Sequence, residues 1–176
     1  MNPIRVIAIP TEIAESVRRA GKDPHYGHPA HTEIAGEGAP CRHCLKLIAA
    51  GEQKATLFTL DAFEGIEPLP LPGPVYIHAN ACERYPEDGG FPAELRTSPR
   101  TLNAYGRGRH LVATEYVENG SVDAGVETLL ARADVDYIHV RSTTAGCYTF
   151  RIERAGTTAA VQRKAPASMG PTLLSR

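Results

Sequence analysis

The sequence predicts an α+β fold: a mainly antiparallel sheet of about five to seven strands, two or three helices and a C-terminal β-hairpin. Segments with strand character are not cleanly interleaved with helical ones, as a parallel sheet would require. Residues 135–142 and 147–154 are separated only by the linker Thr143-Thr144-Ala145-Gly146, which is typical of an antiparallel hairpin. With 176 residues, 42% of them hydrophobic, the chain suits one domain. We expect this domain over residues 1–154 and a disordered, Ala/Thr/Pro/Ser-rich tail over residues 155–176.

The N-terminal half predicts two strands and two helices. An apolar run predicts the first strand over residues 4–9. Thr11 is a suitable N-cap for a helix whose apolar residues repeat at helical spacing. Residues 22–40 are rich in Gly, Pro and His and predict a loop. We expect a short helix over residues 41–50 and a strand over residues 55–63.

The segment over residues 68–74 is rich in proline. The prolines within residues 68–74 exclude a helix or a central strand, so a short strand is expected only over residues 75–79. Residues 80–101 are polar and predict irregular structure. A strand over residues 111–117 precedes an amphipathic helix capped by Ser121, and the hairpin completes the domain.

Charge and motif content exclude several functional classes. The net charge of -1 at pH 7 gives no general bias toward nucleic acid or membrane surfaces. No segment approaches the roughly 18 apolar residues of a membrane helix, and the N-terminus lacks a signal-peptide pattern, so we expect a cytoplasmic protein. Walker, dinucleotide-binding, serine hydrolase and zincin motifs are all missing from the sequence. The oligomeric state stays open.

Cys41 and Cys44 form a CxxC pair at the start of a predicted helix. There the two thiols lie on one face, and the free N–H groups of the first turn favour thiolates. His78 and Cys82 lie within one His-Ala-Asn-Ala-Cys segment. The four residues together predict a tetrahedral zinc site with three thiolates and one imidazole.

Other interpretations of the cysteines stay open. Leu45 stands where a glycine often follows the CxxC of a zinc knuckle, and Cys147 and His139 could replace either of the two distant ligands. A CxxC pair at a helix start also suits a thiol oxidoreductase, or a metal-dependent hydrolytic enzyme that uses Cys41 and Cys44. In a third interpretation the cysteines are inert residues of a binding module.

Strand alternation predicts a sheet face that is rich in His, Tyr and Arg. Tyr137, His139 and Arg141 share this face, whereas Tyr148 falls on the apolar one. Arg151 lies close across the hairpin in the register that keeps one face apolar. Two neighbouring guanidinium groups repel unless an anion lies between them. Tyr137, His139, Arg141 and Arg151 therefore predict a site for a small anionic ligand, the alternative being a solvent-exposed face.

The tripeptide Tyr-Ile-His occurs twice and ends at His78 and at His139. If this repetition is structural, the two strands are neighbours in one sheet. Both imidazoles would then lie on the same face of that sheet.

Three segments, in their order and spacing, carry a resemblance. They are Pro40 to Leu45, Gly73 to Ala79 with Cys82, and Tyr137 to Arg141 with Gly146 to Arg151. Together they resemble a family of short bacterial proteins known as domain of unknown function 1203, over about residues 4–154. The resemblance implies a bacterial, single-domain protein and no activity. Our interpretation is a cytoplasmic α+β domain with a Cys/His zinc site beside an anion-binding sheet face.

Overall fold

The computed structural model describes residues 3–67, 71–118 and 120–156. Eight strands and two α-helices form in this part of the chain. The strands are β1 (Ile4–Ile7), β2 (His31–Ile34), β3 (Lys54–Asp61), β4 (Pro72–His78), β5 (Arg100–Gly106), β6 (His110–Val117), β7 (Tyr137–Ser142) and β8 (Tyr148–Arg154). The helices are α1 (Thr11–Ala20) and α2 (Val122–Leu130). Neither helix is long and apolar enough to cross a membrane.

The strands form two sheets in which every neighbouring pair is antiparallel. The larger sheet has five strands in the order β1-β8-β7-β5-β6, and the smaller has three in the order β2-β3-β4. The predicted α+β class and the C-terminal hairpin, β7 with β8, are confirmed. The strands are divided between two sheets, however, which the sequence did not indicate.

Helix α2 packs closely against the five-stranded sheet. Val126 and Leu129 are buried on the helix, and Leu102 and Val117 are buried on the strands below it. A Cβ atom added at Gly125 would lie 2.7 Å from Val117 Cγ1 and 3.2 Å from Leu102 Cδ1. Gly125 is therefore what lets the helix approach the sheet at this distance.

Helix α1 packs in a second core cluster with the three-stranded sheet. Ala14 and Val17 of the helix are buried in the same cluster as Phe58, Val75 and Ile77 of β3 and β4. Strand β4 lies at the edge of its sheet, where proline is tolerated, and it begins at Pro72, earlier than expected.

Several predicted boundaries are wrong. Strand β1 ends at Ile7, and the helix expected over residues 41–50 is replaced by a turn. Strand β2 forms inside the predicted loop at residues 22–40, with all four residues exposed, and β5 was not anticipated. The predicted tail over residues 155–176 lies outside the described residues except for its first two.

The hairpin follows the expected register only as far as Val140. Val140 lies opposite Phe150, as the apolar face requires, but Arg141 lies opposite Tyr148, because the register shifts between Val140 and Arg141. This bulge places the Tyr148 ring against His139, with 5.0 Å between the ring centroids. The assignment of Tyr148 to the apolar face is therefore wrong.

Candidate metal centre

The segment that contains Cys41 and Cys44 is a tight turn. The Cys41 N–H donates to Lys46 O at 2.9 Å, and the Leu45 N–H donates to Cys41 O at 2.8 Å. Leu45 itself has a φ of 57°, in the left-handed region that usually favours glycine. Its side chain is only 1% exposed, so burial of the leucine offsets the backbone strain. The missing glycine does not prevent the turn.

Backbone hydrogen bonds hold this turn against β4 and against the residues after β1. The Arg42 N–H donates to Tyr76 O at 2.9 Å, and the Ile9 N–H donates to Arg42 O at 3.0 Å. His78 is the last residue of β4, and Cys82 follows four positions later. The turn and the end of β4 thereby bring four side chains from distant positions to one place.

These four side chains form a compact group, here named the Cys/His cluster: Cys41, Cys44, His78 and Cys82. Their ligand atoms all lie within 4.8 Å of one another. The two sulfurs of Cys41 and Cys82 are 3.8 Å apart, and Cys44 Sγ is 3.4 Å from His78 Nδ1. Tetrahedral zinc bonds of about 2.3 Å place two sulfur ligands about 3.8 Å apart. The predicted convergence is found, with spacings that could hold a metal ion.

A second layer of side chains surrounds Cys82. Arg18 of α1 donates from Nη2 to Cys82 Sγ at 3.3 Å and from Nε to His78 O at 3.0 Å. His43 Nδ1 lies 3.2 Å from the same sulfur, and His43 Nε2 lies 3.1 Å from Thr11 Oγ1. With Cys82 ionised, a neutral His43 donates to the sulfur and accepts from the Thr11 hydroxyl. Such contacts orient and stabilise metal-binding thiolates.

The three thiols of the cluster shift one another's pKa values. Hydrogen bonds from Cys44 and then Cys82 lower the pKa of Cys41, and backbone N–H groups add to this effect. The same contacts with Cys41, together with burial, raise the pKa of Cys44 and of Cys82. Without a metal ion these shifts favour a thiolate at Cys41 and protonated thiols at Cys44 and Cys82, and a bound cation would displace those two thiol protons.

Arg42 places a buried positive charge in the Cys41–Cys44 turn, where it interacts with the charges of Cys147 and Cys41. Burial lowers its pKa to about 10, so the guanidinium remains charged at neutral pH. It donates from Nε to Tyr148 O at 2.9 Å and from Nη1 to Pro40 O at 2.6 Å. Because three thiolates outweigh one divalent cation, this charge favours the loaded cluster.

One side of the cluster faces a cleft of about 500 Å³. Cys44, His78 and Cys82 line this cleft, together with the exposed side chains of Lys46 and Lys54. Cys41 is 0% exposed and lies behind them. The cleft is therefore an entry path by which a metal ion or a chelator could reach the cluster.

The alternative ligands are not part of the cluster. Cys147 lies at the end of the hairpin, where its sulfur is 3.6 Å from Ala145 O. His139 belongs to the five-stranded sheet and is in contact with aromatic rings. Neither residue contributes an atom to the converging group.

The predicted polar sheet face is buried. His139 is 0% exposed, and four aromatic rings lie around it with centroid distances of 4.8–5.2 Å. These rings belong to Phe63, Tyr105, Tyr137 and Tyr148. We call His139 and these rings the aromatic enclosure. The alternative of a solvent-exposed face is wrong.

Within the described residues, His139 has no hydrogen-bond partner at either ring nitrogen. Burial lowers its pKa well below 6.5, and the charges of Arg141, Arg151 and Arg109 lower it further. The imidazole is therefore neutral in the folded protein at neutral pH.

The two arginines of the face have different surroundings. Arg151 Nε lies 2.7 Å from Glu153 Oε1 in an ion pair. Arg141 Nη1 donates to Gly146 O at 3.0 Å, and its buried Nε has no partner in the part of the chain that the structure describes. The predicted ligand-binding residues are therefore not in one site. Tyr137 and His139 lie in the aromatic enclosure, and Arg151 is paired with Glu153. Arg141 lines a separate cleft.

The repeated Tyr-Ile-His tripeptide is not a structural repeat. His78 ends β4 of the three-stranded sheet, whereas His139 lies in β7 of the five-stranded sheet. The prediction that the two strands are neighbours is wrong. A tripeptide specifies the faces of a strand but not its partners.

Sequence reasoning missed the residues that support the cluster. His43 lies inside the Cys-Arg-His-Cys segment, so its proximity to the thiols could have been inferred from position. Arg18 carries no such signal, because its contact with Cys82 spans 64 positions and depends on how α1 packs. The rings of Phe63 and Tyr105 were likewise unpredictable without the strand order.

Comparison with known proteins gives one match. The sequence model of a family described as "Protein of unknown function (DUF1203)" matches residues 38–154. No curated protein and no solved structure matches the chain. The matched segment contains all four residues of the Cys/His cluster.

Proposed function

Because the chain belongs to a family of proteins of unknown function, DUF1203, whose description names no activity, we propose from geometry that the Cys/His cluster binds one structural zinc ion. The observation that carries the proposal is the spacing of the ligand atoms. The distance of 3.8 Å between Cys41 Sγ and Cys82 Sγ agrees with that of about 3.8 Å expected between two sulfurs on one tetrahedral zinc.

The chemistry of the donor set favours zinc. Thiolate and imidazole ligands suit zinc, whereas magnesium and calcium prefer oxygen. Three sulfurs and one nitrogen fill a tetrahedral coordination sphere, which is typical of structural sites. Zinc bound here would fasten the Cys41–Cys44 turn to the end of β4 and to Cys82.

The thiol oxidoreductase alternative loses its structural premise. It required Cys41 and Cys44 to open a helix, whose N-terminus would activate one thiol. The segment forms a turn, and Cys82 and His78 lie as close to the pair as zinc ligands would.

Metal analysis combined with a thiol titration tests the proposal, and Cys147 supplies a matched control because it lies outside the cluster. We expect the wild type to bind one zinc ion per chain and to expose one reactive thiol. Cys147→Ser should keep the zinc and lose the reactive thiol, whereas Cys82→Ser should lose the zinc.

Two outcomes would overturn the proposal. Failure of reduced wild type to bind added zinc, with unreactive thiols, would favour a binding module with inert cysteines. Reactive thiols that form a reversible Cys41–Cys44 disulfide, without metal binding, would favour the oxidoreductase.

A further inference from the structure

One sheet face holds every buried side-chain nitrogen or oxygen that lacks a hydrogen-bond partner in the described part of the chain. Apart from Arg151 Nε, which forms the ion pair with Glu153, these atoms belong to four residues of β7 and β8: Tyr137, His139, Arg141 and Thr149. Burying a polar atom without a partner is unfavourable, so such atoms are normally scattered and few. These atoms are concentrated on one hairpin, and two of its residues, Arg141 and Tyr148, line a cleft.

Arg141 is the cation of this face that lacks a carboxylate partner. Arg151 is neutralised by Glu153, which lies 2.7 Å away. For Arg141, no carboxylate lies within ion-pair distance in residues 3–67, 71–118 and 120–156, and its one hydrogen bond is to Gly146 O. A guanidinium group has five N–H donors, so most of its hydrogen-bonding capacity remains.

Arg141 lines a cleft of about 260 Å³ between the hairpin and the three-stranded sheet. The hairpin contributes Tyr148 and the residues of the turn, and the opposite wall is apolar, with Leu60, Ala62 and Val75. Among the described residues that line the cleft, Arg141 is the one charged residue. The cleft thus combines a single positive charge with an apolar surface.

We infer that this cleft binds a small carboxylic acid with an apolar body, the carboxylate on Arg141 and the body against Leu60, Ala62 and Val75. The planar guanidinium matches a carboxylate. A single cation balances one negative charge, whereas a phosphate dianion would require more. The inference does not depend on the zinc proposal, because none of the cluster residues lines this cleft.

Benzoate is a suitable probe, with inorganic phosphate as the comparison at constant ionic strength. We expect benzoate to bind the purified full chain by calorimetry and to raise its melting temperature. Phosphate should bind at least ten-fold more weakly. Arg141→Ala should weaken benzoate binding at least ten-fold, whereas the same change at Arg19, an exposed arginine of α1, should leave it unchanged.

A second variant keeps the test decisive if Arg141→Ala fails to fold. Gly73 lines the cleft, and a Cβ atom added there would meet nothing within 4 Å. The Cβ atom of Gly73→Leu therefore has room, and we expect the rest of the leucine side chain to occupy the cleft and weaken benzoate binding while Arg141 is still present. Undiminished binding by Gly73→Leu, or by a folded Arg141→Ala, would overturn the inference. Phosphate binding as tight as that of benzoate would overturn the ligand class.

Discussion

His78 and His139 end the same tripeptide, yet the surroundings of the two imidazoles are opposite. His78 lies in the Cys/His cluster, where its Nδ1 is 3.4 Å from Cys44 Sγ. His139 lies in the aromatic enclosure, where neither nitrogen has a partner among the described residues. Local sequence supplies the imidazole, but the neighbours that other elements bring decide whether it lies among possible metal ligands or packs against aromatic rings. The predictions below contrast the two regions.

The largest expected effect comes from placing leucine at each histidine. His78→Leu should abolish zinc binding and lower the free energy of unfolding by roughly 5 kcal/mol or more. Binding free energy at structural zinc sites, about 10–16 kcal/mol in zinc-finger peptides, contributes to folding. His139→Leu should retain the zinc. Chemical denaturation with metal analysis measures both effects, and equal destabilisation by the two variants would remove the contrast.

Acid should weaken zinc binding steeply. The raised pKa values of Cys44 and Cys82 mean that loading the cluster releases about two protons at neutral pH. The apparent zinc affinity should then fall about 100-fold for each pH unit lowered. Competition with a chromophoric chelator at several pH values measures this slope. A pH-independent affinity would mean that the thiols are already ionised.

Removal of a supporting contact should have an intermediate effect. Arg18→Ala deletes the donor to Cys82 Sγ and should lower zinc affinity by about 10–100-fold, as expected for contacts that orient metal ligands. The neighbouring Arg19 is exposed, and Arg19→Ala provides the matched control. A chelator competition assay compares the two, and equal affinities would show that Arg18 only packs.

The smallest effect is expected in the aromatic enclosure. The folded-state pKa of His139 is well below 6.5, so only the unfolded chain takes up a proton as the pH falls below about 6.5. The wild type should lose up to about 1.4 kcal/mol of stability per pH unit there through this residue. His139→Leu should lack this contribution and be equally or more stable at pH 7, because two unpaired nitrogens disappear.

Denaturation at pH 7.5 and at pH 5.5 measures how the free energy of unfolding of the wild type and of His139→Leu depends on pH. The acid sensitivity of the Cys/His cluster is common to both proteins and therefore cancels in the comparison. A steeper loss of stability in His139→Leu would contradict the assignment of a neutral, buried His139.

The sequence predicted the fold class and the members of the Cys/His cluster for different reasons. Alternation of apolar and polar residues in β7 and β8 predicts the hairpin from local sequence. Cys and His have a narrow range of chemical roles, so they can be assigned to one site from the sequence alone. The helix expected over residues 41–50 is wrong because an i, i+3 spacing of thiols is satisfied equally well by a tight turn. Leu45 adopts a left-handed φ only because tertiary packing buries it, which no local pattern reveals.

The strand partners were less predictable. In β5, the buried Leu102 and Ala104 alternate with partly exposed residues. This alternation of apolar and polar residues is visible in the sequence and is typical of a strand. Strand β2 carries no such alternation, since all its residues are exposed. Its existence depends on pairing with β3.

The pairing of β1 with β8 sets the order in which the chain can fold during synthesis. Ile4 lies opposite Arg154, so β1 has no sheet partner until almost all of the described residues have left the ribosome. By contrast, the last strand of the three-stranded sheet ends at His78, and the last residue of the Cys/His cluster is Cys82. A nascent chain can therefore close the smaller sheet early, whereas its N-terminal strand can pair only after β8 has been synthesised.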